Sequence, residues 1–153
     1  MSKRDEFTTA LKTSMQAKEQ IAVSTIRLII AAMKDRDIVA RGEGNPNGIS
    51  ESEILSMLQS MVKQRQESAN TYAEVGRDDL AERELDEIAI IRRFLPAQMS
   101  EEEVSAAIEN IIADTGVSDI KGMGKVMGEL KTRYAGQMDM AKAGGIVKQK
   151  LAS

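Results

Sequence analysis

Residues 50–76, SESEILSMLQSMVKQRQESANTYAEVG, hold the clearest indication of how this chain folds. Ser50 and Glu53 have the spacing of a capping box, which marks the start of a helix. Apolar residues then recur at intervals of three and four, so that one face of the helix stays apolar. These residues are Ile54, Leu58, Met61, Val62, Ala69 and Tyr72. The stretch predicts one long helix that ends at Gly76.

The same helical spacing continues toward the N-terminus. It predicts a first helix with Phe7, Leu11 and Met15 on one face, and a longer second helix that reaches about Arg41. The apolar face of the second helix consists of Val23, Ile26, Ile30 and Met33. Residues 42–48 are rich in glycine and asparagine and contain a proline, which favours a loop between two long helices.

Four further helices are predicted after Gly76. The fourth buries Leu85, Ile88, Ile91 and Leu95, and Pro96 stops it. Ser100 and Glu103 form a second capping box at the start of the fifth, and two short helices follow. The predicted inner residues of these last three helices are Val104, Ile108, Ile111, Ile112, Met123, Val126, Leu130, Tyr134, Ala143, Val147 and Leu151. We therefore predict an all-α protein with a four-helix unit over residues 1–96, two of its helices long, and a small three-helix unit over residues 97–153.

Composition excludes many kinds of active site. The 153 residues include no cysteine and no histidine, which removes thiol nucleophiles, disulfides, Cys/His zinc sites and imidazole bases. Four aromatic residues and no tryptophan make base-stacking on single-stranded nucleic acid improbable. We predict no catalytic residue, no metal site and no cofactor.

Location is inferred from what the sequence lacks. The N-terminal residues MSKRDEF carry no apolar stretch typical of a secretory signal. No apolar run approaches the roughly 18 residues of a membrane span. With no cysteine to form disulfides, we expect a cytoplasmic protein without a membrane partner.

Charge is distributed unevenly along the chain. Residues 100–114 contain five acidic and no basic residues, whereas residues 115–153 contain seven basic and three acidic ones. The basic end of the chain is consistent either with a solvated face or with contact to a polyanion. A mixed-charge stretch over residues 63–67, KQRQE, is expected to be solvent-exposed.

Residues 122–128, GMGKVMG, form the only glycine-rich basic motif. It is not a Walker P-loop, which would need glycine at Asp119 and serine or threonine at Val126. Two interpretations remain. Glycine N–H groups at a helix start, together with Lys121 and Lys125, could bind phosphate. Alternatively, the spacing of Gly124 and Gly128 lets another helix pack closely.

A series of short motifs runs through the chain in a characteristic order. They are TIRL at 25–28, KQRQES at 63–68 with Tyr72, GRDDL at 76–80, FLPAQMS at 94–100, MGKVM at 123–127, Gly136 with Asp139, and Val147 with Leu151. With these motifs the chain resembles, over essentially its whole length, the YqeY-like family, whose domain is also the tail of the B subunit of the tRNA-dependent amidotransferase (the GatB/YqeY domain).

The resemblance implies an all-helical fold and association with tRNA. We therefore expect a freestanding accessory module that binds the tRNA backbone through Lys121, Gly122, Gly124 and Lys125, with Lys131 and Arg133 contributing less specifically. Carbon–nitrogen ligase activity with glutamine as amido-N donor belongs to the larger amidotransferase assembly, and the chain is not expected to catalyse it alone. DNA is not an expected partner. The alternative is a protein-interaction module that docks on an aminoacyl-tRNA synthetase or amidotransferase subunit without contacting RNA.

Overall fold

The computed structural model describes residues 1–152, and within that range it holds seven α-helices and no strand. The predicted all-α class is therefore confirmed. The helices are α1 (Lys3–Gln16), α2 (Gln20–Gly42), α3 (Glu51–Glu74), α4 (Asp78–Arg92), α5 (Glu101–Thr115), α6 (Met123–Arg133) and α7 (Met140–Ala152). A 3₁₀ turn, Ile120–Gly122, precedes α6. The helices fall into two compact units: the first comprises Met1–Leu95 and the second begins at Pro96.

Local capping residues set the helix starts that the sequence indicated. The Ser50 side chain accepts a hydrogen bond from the N–H of Glu53, and α3 begins at the next residue, Glu51. At α5 the capping box is complete, because Ser100 and Glu103 each bond the backbone N–H of the other. At the other end of α5, Gly116 has a positive φ of 70°, a conformation that terminates helices and favours glycine.

The first unit is built around one apolar core to which all four of its helices contribute. Phe7 of α1 and Phe94 after α4 meet edge to face, with ring centroids 5.0 Å apart. The other fully buried large side chains of this core are Ile26, Ile29, Ile54, Met57, Leu58 and Ile91. Two sequence predictions are wrong here: Met15 and Leu85 are about half exposed. Ser14 and Ala81 are buried instead, because the buried stripes of α1 and α4 are rotated slightly from the predicted ones.

The second unit has its own, smaller core. Its fully buried side chains are Ile108 and Ile111 of α5, Val126 and Leu130 of α6, and Val147 of α7. Met123, Met127 and Met140 are partly buried against them. These flexible thioether side chains fill the irregular space between short helices. None of the helices within residues 1–152 is both long and apolar enough to span a membrane.

Asp37 is a buried acid that links three parts of the first unit. It lies on the inner side of α2 and is 3 % exposed. Its carboxylate accepts hydrogen bonds from the Arg4 guanidinium at 2.6 and 2.8 Å and from the N–H of Ile49 at 2.9 Å. The start of α1 and the segment before α3 are thereby tied to α2.

Thr25 supplies a stability prediction, because its hydroxyl is fully buried and makes no hydrogen bond to any residue from 1 to 152. A buried hydroxyl without a partner costs free energy relative to its hydrated state in the unfolded chain. Thr25→Val, which has nearly the same shape, is expected to raise the free energy of unfolding by about 1 kcal/mol. Urea denaturation followed by circular dichroism measures this change.

The control for this prediction is Thr25→Ser. Serine keeps the unsatisfied hydroxyl and removes the methyl group, so this variant should be less stable than the wild type. If Thr25→Val is also less stable, the hydroxyl has a partner in solution and the prediction is wrong.

Candidate nucleic-acid interface

In the turn before α6, the backbone N–H groups donate hydrogen bonds to acceptors within the turn itself. The Asp119 carboxylate accepts a hydrogen bond from the N–H of Lys121 at 3.0 Å, and the Asp119 carbonyl accepts one from Gly122 at 3.1 Å. The N–H of Met123 donates to the carbonyl of Ile120. These three N–H groups already have partners. A phosphate at this turn would therefore be bound by lysine side chains rather than by this part of the backbone.

Position 122 requires glycine because the Val117 side chain fills the space that a Cβ atom would occupy. A Cβ atom added there would lie 2.2 Å from Cγ1 of Val117, closer than two carbon atoms can approach. Val117 in turn packs against the core of the second unit. Close packing within the unit thus accounts for glycine at position 122, without a ligand.

Gly124 and Gly128 are in a different situation. A Cβ atom at either position would meet no atom within 4 Å in the part of the chain that the structure describes. The interpretation in which this pair lets another helix pack closely is therefore not realised inside residues 1–152. Instead, the two glycines leave the α6 backbone open to approach from outside.

Exposed lysines lie beside these open glycines. Lys121 and Lys125 are exposed, and neither forms an ion pair with any residue up to Ala152. At about 100° per residue, Gly128 lies opposite the buried residues Val126 and Leu130, and Lys125 lies about 100° from Val126 and about 140° from Leu130. We call Lys121, Gly124, Lys125 and Gly128 the α6 outer face. Lys131 is also exposed but lies about 120° around the helix from Lys125, at the edge of this face.

Arg133 is engaged by acidic neighbours. Its guanidinium donates hydrogen bonds to Asp114 and to Glu129, each at 3.1 Å. The hydrogen bond to Asp114 is the main reason why the pKa of Arg133 is raised above its ordinary value. An RNA phosphate would have to compete with two carboxylates for this side chain, so Arg133 is the least available of the four basic residues among the predicted contacts.

Two charged residues of the first unit, Arg65 and Glu87, form an internal contact that the sequence alone does not indicate. Within the stretch 63–67, which was expected to be solvent-exposed, Arg65 is partly buried and its Nε donates to Glu87 at 3.1 Å. Glu87 itself is 8 % exposed. The expectation is therefore wrong for Arg65, which joins α3 to α4. Among the described residues, no three acidic side chains are grouped closely enough to hold a metal ion.

Comparison with known proteins gives a consistent result. A family model described as "Yqey-like protein" matches residues 4–151. Three similar proteins are each named altered inheritance of mitochondria protein 41, mitochondrial. Those from Meyerozyma guilliermondii and Clavispora lusitaniae are 32 % identical, with matches that cover 80 and 71 % of this chain and 67 and 62 % of theirs. The protein from Lachancea thermotolerans is 31 % identical over 68 % of this chain and 54 % of its own. The chain thus spans between half and two thirds of the relatives' length.

The names of these relatives contradict the cytoplasmic location expected from the sequence, because they place the relatives in mitochondria. The expectation relied on the absence of cysteine and of an apolar stretch near Met1. Neither feature distinguishes the cytoplasm from a mitochondrial compartment, and for that reason the expectation was wrong.

Proposed function

The chain belongs to the family of Yqey-like proteins, and on that premise we propose that it is a tRNA-binding accessory module without catalytic activity of its own. The observation that carries the proposal is the α6 outer face. It combines two exposed lysines that have no ion-pair partner within residues 1–152 with two glycines that leave the helix backbone accessible.

This combination suits the backbone of folded RNA. Double-stranded RNA is recognised mainly through its shape, its phosphates and its 2′-hydroxyls, because its deep major groove is closed to side chains. A helix face without bulky side chains can approach the sugar–phosphate backbone closely, and the lysines then neutralise phosphates. Lys121 and Lys125 supply the main contacts in this proposal, and Lys131 adds a weaker one at the edge.

We further propose that the chain assists a partner enzyme, either an aminoacyl-tRNA synthetase or an amidotransferase. Aminoacyl-tRNA synthetases and amidotransferases act on the acceptor end of tRNA. A module that holds the body of the tRNA would raise the local concentration of that substrate at a partner enzyme. In this proposal, carbon–nitrogen ligase chemistry belongs to the partner, and the chain contributes binding only.

Binding of fluorescently labelled tRNA, followed by anisotropy over a salt series, tests the proposal. Because the relatives are named mitochondrial, both total and mitochondrial tRNA are used as ligands. Lys125→Glu is expected to weaken binding about tenfold and to reduce the slope of log affinity against log salt by about 1, since one phosphate contact is lost.

Two further variants act as controls. Lys12→Glu makes the same charge change on α1, where the lysine is also exposed, and should leave affinity nearly unchanged. Gly128→Leu adds bulk to the α6 outer face without changing charge, and should weaken binding while the helix keeps its stability. The proposal fails if Lys125→Glu binds as tightly as the wild type, or if Lys12→Glu weakens binding equally. Absence of tRNA binding at low salt would also contradict it and would favour a module that contacts proteins only.

A further inference from the structure

Helix α2 has a second apolar face that the first unit does not bury. Its inner face contains Ala22, Ile26, Ile29, Met33 and Ala40, all buried in the core. On the outer side, Leu28 is 47 % exposed and Ile38 is 66 % exposed. Exposed apolar side chains that line up on one surface are typical of protein-binding sites, whereas isolated ones carry no such meaning.

These exposed residues have the spacing of a coiled-coil seam. Intervals of three and four residues alternate through Ile21, Ser24, Leu28, Ala31, Asp35 and Ile38, which we call the α2 seam. Four of the six residues are apolar, and the seam extends over about 26 Å at 1.5 Å per residue. A seam of this length is enough to receive four to five turns of a second helix.

Basic residues flank the α2 seam along one edge. Arg27, Lys34 and Arg41 are spaced seven residues apart, so they occupy the same position in successive heptads. All three are exposed, and none forms an ion pair with a residue of the described chain. Residues that flank a seam select the partner by charge, so this row favours an acidic flank on the incoming helix.

The same row disfavours a second copy of this chain as the occupant. When two identical helices pair antiparallel, the same edge of each helix meets, and the two basic rows would face each other. In a parallel pair the row would face Ala32 and Val39 of the other copy, which offer no acidic group. Like charges brought together, or left without a partner, oppose association.

We propose that the α2 seam binds an amphipathic helix of another protein, with an apolar stripe in heptad spacing and acidic residues along the edge that meets Arg27, Lys34 and Arg41. Asp35, the one charged residue inside the seam, sets the register by requiring a hydroxyl, amide or basic side chain opposite it. This surface belongs to the first unit and shares no residue with the α6 outer face, so different substitutions test the two sites.

A pair of synthetic helical peptides serves as the probe. Each carries leucine at the seam positions over about three heptads, except for asparagine at the position that meets Asp35; one has glutamate along both flanks and the other has lysine in the same places. Fluorescence anisotropy with the full chain is expected to show at least tenfold tighter binding of the glutamate peptide. Leu28→Asp should weaken that binding about tenfold, and Lys34→Glu should reduce the preference for the glutamate peptide, because the net charge of the basic row falls from +3 to +1.

Val75→Asp is the control, because Val75 is an apolar residue outside the seam that is even more exposed than Leu28, at 68 % against 47 %. It should bind the glutamate peptide as the wild type does. All the substituted side chains are exposed, and circular dichroism checks that each variant keeps its helix content.

Four results would overturn the proposal. The first is equal binding of both peptides or none, and the second is binding unaffected by Leu28→Asp. The third is a dimer in sedimentation equilibrium that Leu28→Asp abolishes, which would identify a second copy of this chain as the occupant of the seam. The fourth is a loss of tRNA affinity in Lys34→Glu as large as that in Lys125→Glu, which would show that the basic row binds RNA rather than a protein helix.

Discussion

Asp37→Ala is expected to lower the free energy of unfolding of the first unit by about 3 kcal/mol. The substitution removes the acceptor of three hydrogen bonds, two donated by Arg4 and one by the N–H of Ile49. Arg4, whose side chain is one third exposed, would keep its charge in a partly buried place without a counter-ion. Removing one member of such an ion pair lowers the free energy of unfolding by more than the intact pair contributes to it. The reason is that the remaining charge has lost part of its hydration as well as its partner.

The effect extends over three segments because Asp37 holds them together. Arg4 also donates to the carbonyl of Ile49 at 3.0 Å, so α1 and the segment before α3 share one network with α2. Gly48 lies so close that a Cβ atom there would be 2.2 Å from the Asp37 carboxylate. Its φ of +78° is in the region that favours glycine. The loop therefore returns onto Asp37 by a path that few other sequences could follow.

Urea denaturation at neutral pH measures the change, and Asp35→Ala is the matched control. Asp35 is two residues away on the same helix, exposed and without an ion pair among residues 1–152. Its removal should change stability by no more than about 0.5 kcal/mol. Equal stability of the two variants would show that the Asp37 network contributes nothing, contrary to the prediction.

The dependence of stability on pH provides a second test of the hydrogen bonds to Asp37. The hydrogen bonds from Arg4 hold the pKa of Asp37 at about 2, below its ordinary value of 3.8. A carboxyl group whose pKa is lower in the folded state contributes stability above its unfolded pKa and loses it as the pH falls through its folded pKa. The stability difference between the wild type and Asp37→Asn should therefore shrink between pH 4 and pH 2. A difference independent of pH in that range would contradict this assignment.

Sequence inspection succeeded where the determining interaction is local. The caps at Ser50 and Ser100 depend on residues three positions apart, so their spacing alone predicts the helix starts. Long-range pairing left no such signal. Arg4 and Asp37 are 33 residues apart, and Arg65 and Glu87 are 22 apart, so each of these residues looked like an ordinary surface charge.

The helix faces were predicted less well than the helices. Leu85 follows the helical spacing of Ile88 and Ile91, yet it is exposed while Glu87 is buried beside Arg65. Apolar periodicity cannot identify a buried acid whose partner lies on another helix, so a small rotation of α4 is missed.

The glycine motif shows the same limit at the candidate site. Their spacing groups Gly122, Gly124 and Gly128 in one motif, and it is compatible with two interpretations, a phosphate contact or close helix packing. The structure gives these glycines different surroundings: Val117 lies against the first, whereas the other two face outward. That distinction depends on the path of residues 116–119, which local spacing does not specify.

Gly122→Ala is accordingly expected to lower the free energy of unfolding of the second unit by about 2 kcal/mol. The added methyl group would lie 2.2 and 2.8 Å from the two γ carbons of Val117. Valine is branched at Cβ and has little rotamer freedom, so it cannot move aside by a simple rotation. The turn before α6 or the segment that carries Val117 must shift instead, and the small core of this unit has few other contacts to absorb that shift.

Gly124→Ala is the matched substitution and should change stability in the opposite direction. Nothing described in the chain lies within 4 Å of its added methyl group, and alanine favours a helix over glycine by about 1 kcal/mol. Thermal and urea denaturation measure the stability of both variants. The same measurement on Gly122→Ala in a Val117→Ala background shows whether the clash with Val117 causes the loss. If the clash with Val117 is responsible, Gly122→Ala should cost much less once Val117 is shortened to alanine. An equal cost in both backgrounds would mean that position 122 needs glycine for another reason, and a phosphate contact there would again need to be tested.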